Sequence, residues 1–158
     1  ELDKDFSTVI EEVRSISRSL IPPELRRLGL KKAINVMMED VEKSTGKIVT
    51  TDLDALEEIE FEEHQSIRLY RIVQELCTNT IKHSGASSIK LETKLDQDEL
   101  LCIYQDNGKG LDLEKWRSAE NSVGFKSIQQ RLKYLKGSIK VLKPKTGFKV
   151  EIKIPKTA

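Results

Sequence analysis

The chain has 158 residues, of which 27 are Lys or Arg and 26 are Asp or Glu, giving a formal net charge of +1. That length fits one compact domain with a modest extension and disfavours two full domains. An aromatic content of only 5% argues against a stacking platform for single-stranded nucleic acid, and no apolar run approaches the ~20 residues of a membrane span.

The near-neutral total hides an asymmetry. Residues 1–64 carry 9 basic and 16 acidic side chains, net −7, and residues 65–158 carry 18 basic and 10 acidic, net +8. A basic C-terminal part suggests an anionic ligand there, but charge alone favours solvated lysine faces on strands and helices. Cys77 and Cys102 sit in apolar stretches without disulfide or metal spacing, so both read as small buried hydrophobes, with a cytoplasmic location expected. The N-terminus lacks the basic-then-apolar layout of a secretory signal and begins inside a helical pattern, as a piece cut from a longer chain would.

In chain order, Phe6, Val9, Val13, Ile16 and Leu20 recur at spacings of 3, 4, 3 and 4, which predicts a helix over 5–21 with an a/d stripe in need of a partner. Pro22-Pro23 ends it, and residues 24–29 read as a short connection. A second amphipathic helix is predicted over Leu30–Ser44, with Ala33, Ile34, Met37, Met38 and Val41 inward and Gly46 as its stop. Lys47–Leu53 reads as a strand and the acidic, irregular run 54–63 as a strand end and an exposed loop. Residues 64–83 form the next helix, with Ile67, Tyr70, Val73, Leu76, Cys77, Thr80 and Ile81 on its apolar stripe. Two strands follow, Ser88–Leu95 and Leu100–Gln105, then the loop Asp106–Gly110, a polar stretch 111–122, a helix from Gly124 to Lys136, and a final hairpin of Ile139–Leu142 with Phe148–Ile154. Helices followed by mixed strands and helices predict an α+β, two-layer sandwich with a partly antiparallel sheet.

Three clusters carry chemistry. Glu75, Asn79, Lys82 and His83 are spaced at i+3 and i+4, so they share one helix face. An Asn can give Mg²⁺ one neutral oxygen while substrate phosphates supply others, and a Lys nearby neutralises phosphate charge. The same face also reads as solvated, with a Glu75–Asn79 hydrogen bond. The second cluster, Asp106-Asn107-Gly108-Lys109-Gly110, directly follows an apolar strand. Its glycines allow positive φ and close approach of a ligand to backbone N–H groups, and its Asp can accept from an exocyclic amine; a plain turn is the alternative. The third is Ser122-Val123-Gly124-Phe125, where a Gly in the first turn of a helix offers N–H groups and the positive dipole end to phosphate, or Ser122 merely caps the helix. Gly147 reads as a turn residue.

The order and spacing of these clusters resemble the ATP-binding domain of sensor histidine kinases, the Bergerat fold shared with type II topoisomerases, Hsp90 and MutL-type ATPases. Glu75 to His83 resembles the N-box, Asp106–Gly110 the G1 box and Gly124 the G2 box. The upstream segment EEVRSISRSLIPPELRRLGLKKAI and the N-box sequence RLYRIVQELCTNTIKHSGAS resemble the NarL/NarX-type kinases. The resemblance implies residues 1–23 as the last helix of a dimerisation and phosphotransfer bundle and 24–158 as the catalytic ATP-binding domain.

By the same resemblance, Asn79 is expected to coordinate Mg²⁺ on ATP and Glu75 to poise a water or the acceptor imidazole. Lys82 and His83 are expected to line the phosphate and ribose side. Asp106 is expected to read the adenine amino group, Gly108 and Gly110 to shape the pocket, and Gly124 to meet the phosphates under a lid near 112–123. A response regulator and a homodimer through the bundle are the implied partners, with no direct nucleic-acid partner and membrane attachment only through other parts of the parent protein. Neither His64 nor His83 is placed as the phosphoacceptor. Other ATPases of the superfamily, anti-sigma-type serine kinases and a catalytically dead scaffold are the rival classes.

Overall fold

The computed structural model describes residues 20–110 and 123–156, together with Val9 and Val13. Within them, helices α1 (Pro23–Leu28) and α2 (Leu30–Thr45) precede strand β1 (Ile48–Asp52), a 3-10 turn (Asp54–Glu58) and helix α3 (Glu63–Asn79), which runs into a π-helical turn (Thr80–Ser84). Strands β2 (Ser88–Asp96) and β3 (Glu99–Asp106), helix α4 (Val123–Tyr134) and strands β4 (Ser138–Leu142) and β5 (Phe148–Pro155) complete the order. Val9 and Val13 are helical and exposed, and Leu20 is exposed at a bend, so the predicted helix does not extend through residue 21; Phe6 and Ile16 of the heptad stripe, and the polar stretch 111–122, lie outside the described residues.

One mixed sheet has the order β1-β2-β3-β5-β4, with β1 parallel to β2 and the other pairs antiparallel. Strict alternation fixes which face is buried. Ile89, Leu91 and Thr93 of β2, Leu100, Cys102, Tyr104 and Asp106 of β3, and Phe148, Val150, Ile152 and Ile154 of β5 all point into the core. The helices cover that face with Ala33, Ile34, Met38 and Val41 of α2, Leu69, Ile72, Val73 and Leu76 of α3, and Phe125, Ile128 and Leu132 of α4. This is the expected two-layer α+β sandwich.

Three local expectations change. The connection 24–29 is largely the helix α1: Pro23 occupies a first-turn position, where a missing N–H costs nothing, and Gly29, at φ 80°, closes the helix through its N–H to the Leu25 carbonyl. The acidic run after β1 is not uniformly exposed. Its 3-10 turn buries Ala55 and Leu56 while Asp54 and Glu57 turn outward to Lys31, 2.8 and 3.0 Å away. The third helix does not continue as an α-helix to residue 83, because the π turn takes over at Thr80 and leaves Ile81 44% exposed instead of on the apolar stripe. Helix α3 opens with a capping box in which the Gln65 side chain accepts the Glu62 N–H at 2.9 Å.

Candidate functional site

The site grows from the end of β3. Asp106 occupies the last inward position of that strand, in a cross-strand row with Ile89 and Phe148, and is 2% exposed. A carboxylate this deep requires donors, and it has two. The Thr80 hydroxyl donates to Oδ2 at 2.8 Å and the Gly108 N–H donates to Oδ1 at 2.9 Å. The Thr80 oxygen in turn lies 2.6 Å from the Tyr104 hydroxyl.

The π turn aims Thr80 at the sheet. Within it the Ser84 hydroxyl donates to the Thr80 carbonyl at 3.0 Å, and the Ser84 carbonyl accepts the Lys109 N–H at 2.9 Å, tying helix to loop. Wide turns of this kind concentrate at functional sites. Gly108 is demanded by that junction, since a Cβ there would overlap the Ser84 carbonyl and come within 2.7 Å of the Ser84 Cβ. Gly110 has φ 79°. Asn107 faces away from the cleft and secures β2, its side-chain oxygen accepting the N–H groups of Ser87 and Ser88, each at 2.9 Å.

Of the predicted residues, Asn79, His83, Asp106 and Gly110 line one cleft, together with Thr80, Ser84 and Phe148. Gly108 does not line it but packs against Ser84, which does. Glu75 lies one turn before Asn79, half-buried, and meets Gly124 at the start of α4: a Cβ on Gly124 would overlap a Glu75 carboxylate oxygen and reach 3.1 Å from its Cδ. Lys82 is exposed and does not line the cleft. Ser122 lies outside the described residues. Beside the cleft, Lys109, Lys143 and Lys145 rim an open groove between the glycine-rich loop and the β4–β5 turn, which places part of the C-terminal positive charge at the site.

Sequence patterning missed Thr80, Tyr104, Ser84 and Gly147 as site residues. Thr80 and Tyr104 read as stripe and strand residues. Gly147 reads as a turn residue, yet its backbone is pressed against that of Asp106 and Asn107. His64, at the start of α3, is exposed, with Nδ1 3.3 Å from a Glu62 carboxylate oxygen. Cys77 and Cys102 are both buried, and burial pushes each thiol up to about 12. Among the described residues, no group of three or more His, Cys, Asp or Glu could hold a metal ion, and no helix is long and apolar enough to cross a membrane.

A mixed sheet covered on one face by helices, with an N-box-like helix facing a glycine-rich loop, defines a class of nucleotide-binding domain. The family model described as histidine kinase-, DNA gyrase B-, and HSP90-like ATPase matches residues 64–158, more than half of the chain, and the chain belongs to that family. ATP is accordingly the nucleotide of this fold. The chain is 33% identical over 159 residues to the signal transduction histidine-protein kinase/phosphatase DegS of Brevibacillus brevis, covering 99% of this chain and 40% of DegS. It is 29% identical over 164 residues to the sensor histidine kinase ComP of Bacillus subtilis, covering 98% of this chain and 20% of ComP. The chain thus spans between a fifth and two fifths of these relatives. Among solved structures, the histidine kinase domain of the Erythrobacter litoralis blue-light activated histidine kinase superposes with a TM-score of 0.66 at 18% identity, over 80% of this chain and 60% of that one. The Acinetobacter baumannii histidine kinase AdeS does so with a TM-score of 0.65 at 15% identity, over 98% of this chain and 80% of that one. These two likenesses show the fold.

Proposed function

We propose that this chain is the ATP-binding catalytic part of a two-component sensor histidine kinase of the NarL/NarX type. In the parent protein it transfers the γ-phosphate of ATP to a histidine on a dimerisation domain, for relay to a response regulator. Residues 1–23 then belong to the homodimeric helix bundle and 24–158 to the catalytic domain. The observation that carries this reading is the meeting in one cleft of a buried carboxylate, Asp106, with Asn79 and His83 from the N-box-like helix end.

Each residue has a task that its position allows. Asp106 accepts the adenine amino group at the buried end. Gly108 and Gly110 let the loop approach the ligand closely, and His83, with Lys82 more peripherally, flanks the ribose and phosphates. Gly124 lies in the first turn of α4 beside Glu75; the N–H groups of that turn would meet the phosphates, and Glu75 would orient the incoming acceptor. The donor set fits Mg²⁺ in one way: Asn79 offers a single neutral oxygen, with no metal-holding acidic cluster among the described residues, so the ion would be held jointly with the nucleotide. There it would neutralise charge on the phosphates. Such transfer rests on positioning and charge stabilisation, and this chain's own share is to fix the base at one end and the phosphates at the other.

The test uses γ-labelled ATP with this chain alone, and with a separate protein carrying the acceptor helix of the parent kinase. Acid-labile label is expected on the acceptor and none on this chain. Acid-labile labelling of the chain alone overturns the assignment of the acceptor outside it. Acid-stable labelling of a protein serine, or DNA-stimulated hydrolysis without transfer, overturns the kinase reading.

A further inference from the structure

The partners of Asp106 form a chain with a fixed direction. Thr80 has one hydroxyl proton and gives it to Asp106 Oδ2. The 2.6 Å contact between Thr80 and Tyr104 must therefore be donated by the phenol. Tyr104 is 1% exposed, its strand partners being Leu91 and Val150, and burial, the largest cause, holds its phenol far above the usual range, so it keeps its proton. The Cys77 thiol interacts with it at the core end. Proton donation thus runs one way, from Tyr104 to Thr80 to Asp106.

The other carboxylate oxygen is held by the Gly108 N–H. A carboxylate offers about four acceptor sites, so two protein donors, one on each oxygen, fix its plane and leave capacity for a ligand N–H. The flanking members of the row, Ile89 and Phe148, are apolar and offer no substitute side-chain acceptor.

We propose that Thr80 and Tyr104 are positioning residues for base recognition: the one-way hydrogen-bond chain from the core presents the Asp106 carboxylate to an exocyclic amine and so sets the preference for adenine over purines that lack it. The inference rests on the reading of Asp106 as the adenine contact. A site whose buried acceptor is pre-aimed at a ligand N–H discriminates against an analogue without one, because that acceptor is left unpaired. If the acceptor is allowed to swing, the preference shrinks while the shape of the pocket stays.

Calorimetric titration of the whole chain with ADP and with purine riboside 5′-diphosphate, which lacks only the amino group, separates the possibilities. The unsubstituted chain is expected to bind ADP about tenfold tighter or more. Thr80→Val, close in shape but without the hydroxyl, is expected to weaken ADP about tenfold and to leave the analogue within about twofold. Thr80→Ser keeps the hydroxyl and is expected to keep the preference. Tyr104→Phe acts one bond further away, with about a three- to fivefold loss for ADP only, and carries the same comparison if Thr80→Val does not fold. Equal weakening of both nucleotides would show a merely structural role and overturn the inference. No preference in the unsubstituted chain would overturn the adenine reading of Asp106 itself.

Discussion

Gly147 is pressed against the backbone of Asp106: a Cβ on it would overlap the Asp106 carbonyl oxygen and come within 2.9 Å of the Asn107 Cα. Its φ of 85° is also one that side-chain-bearing residues rarely adopt. Backbone cannot rotate aside as a side chain can, so Gly147→Ala must push the β4–β5 turn away from the carboxylate loop. The expected outcome is a lower Tm together with an ADP affinity reduced about tenfold or more. Gly46→Ala is the control. That position has φ 69° but nothing within 4 Å, so only the left-handed strain of about 1–2 kcal/mol is expected, with ADP affinity unchanged. Melting curves and ADP titrations of the two variants check this.

Gly124 makes a different kind of contact. The atom a Cβ would meet is the end of the Glu75 side chain, which can turn away. Alanine is also favoured over glycine in a helix by about 0.8–1 kcal/mol. Gly124→Ala is therefore expected to fold, with an unchanged or higher Tm, but with the Glu75 carboxylate displaced. If Glu75 orients the acceptor, single-turnover transfer to a supplied acceptor helix falls about ten- to a hundredfold while ADP binding changes little. A matching loss of ADP affinity would instead assign the damage to nucleotide binding by the first turn of α4.

Much of this was legible in the residues, and the exceptions have physical causes. Period-2 alternation located β2, β3 and β5 to within a residue or two, and the 3.6 period located α2 and α4 comparably well. Helix α1 was hidden because Pro22-Pro23 reads as a stop, although a proline in the first turn starts a helix equally well. The 3-10 turn was hidden by its acids, which face outward while Ala55 and Leu56 turn in. Ile81 was misplaced because a π turn changes the angular phase of every residue after its start, and a fixed helical period cannot show this. Asp106 could be found because it follows an apolar strand and opens a glycine-rich loop. Thr80 could not, since the partner that gives it a role is 26 residues away and reached only through the folded sheet.

Asn79 tests the metal. Its amide lies on the cleft and offers the neutral oxygen that an ion shared with a nucleotide would take. ADP is expected to bind the unsubstituted chain about tenfold tighter with Mg²⁺ than with a chelator present, and Asn79→Ala is expected to remove that increment while leaving the chelator value nearly unchanged. If Asp106 holds the base end, as proposed, the metal-free affinity is the internal reference. A metal increment that survives Asn79→Ala would move the ion to other ligands.

The buried thiols give the chain an alkaline limit. Burial raises Cys77 and Cys102 from the ordinary 9.0 to about 12 in the folded state, whereas the unfolded chain releases these protons near 9. A folded value above the unfolded one means that the contribution is complete below about pH 9 and is lost as pH rises toward 12, by about 1.4 kcal/mol per pH unit for each thiol. Unfolding at alkaline pH exposes other weak acids as well, so the informative quantity is a difference between variants. Cys102→Ala removes one of the two buried thiols. Its urea midpoint, below that of the parent at neutral pH because a buried side chain is truncated, is expected to fall less steeply from about pH 9 to 11, so that the two curves converge. Parallel curves would show that the Cys102 thiol ionises as readily in the folded state as in the unfolded chain, and that the core around it admits the charged form.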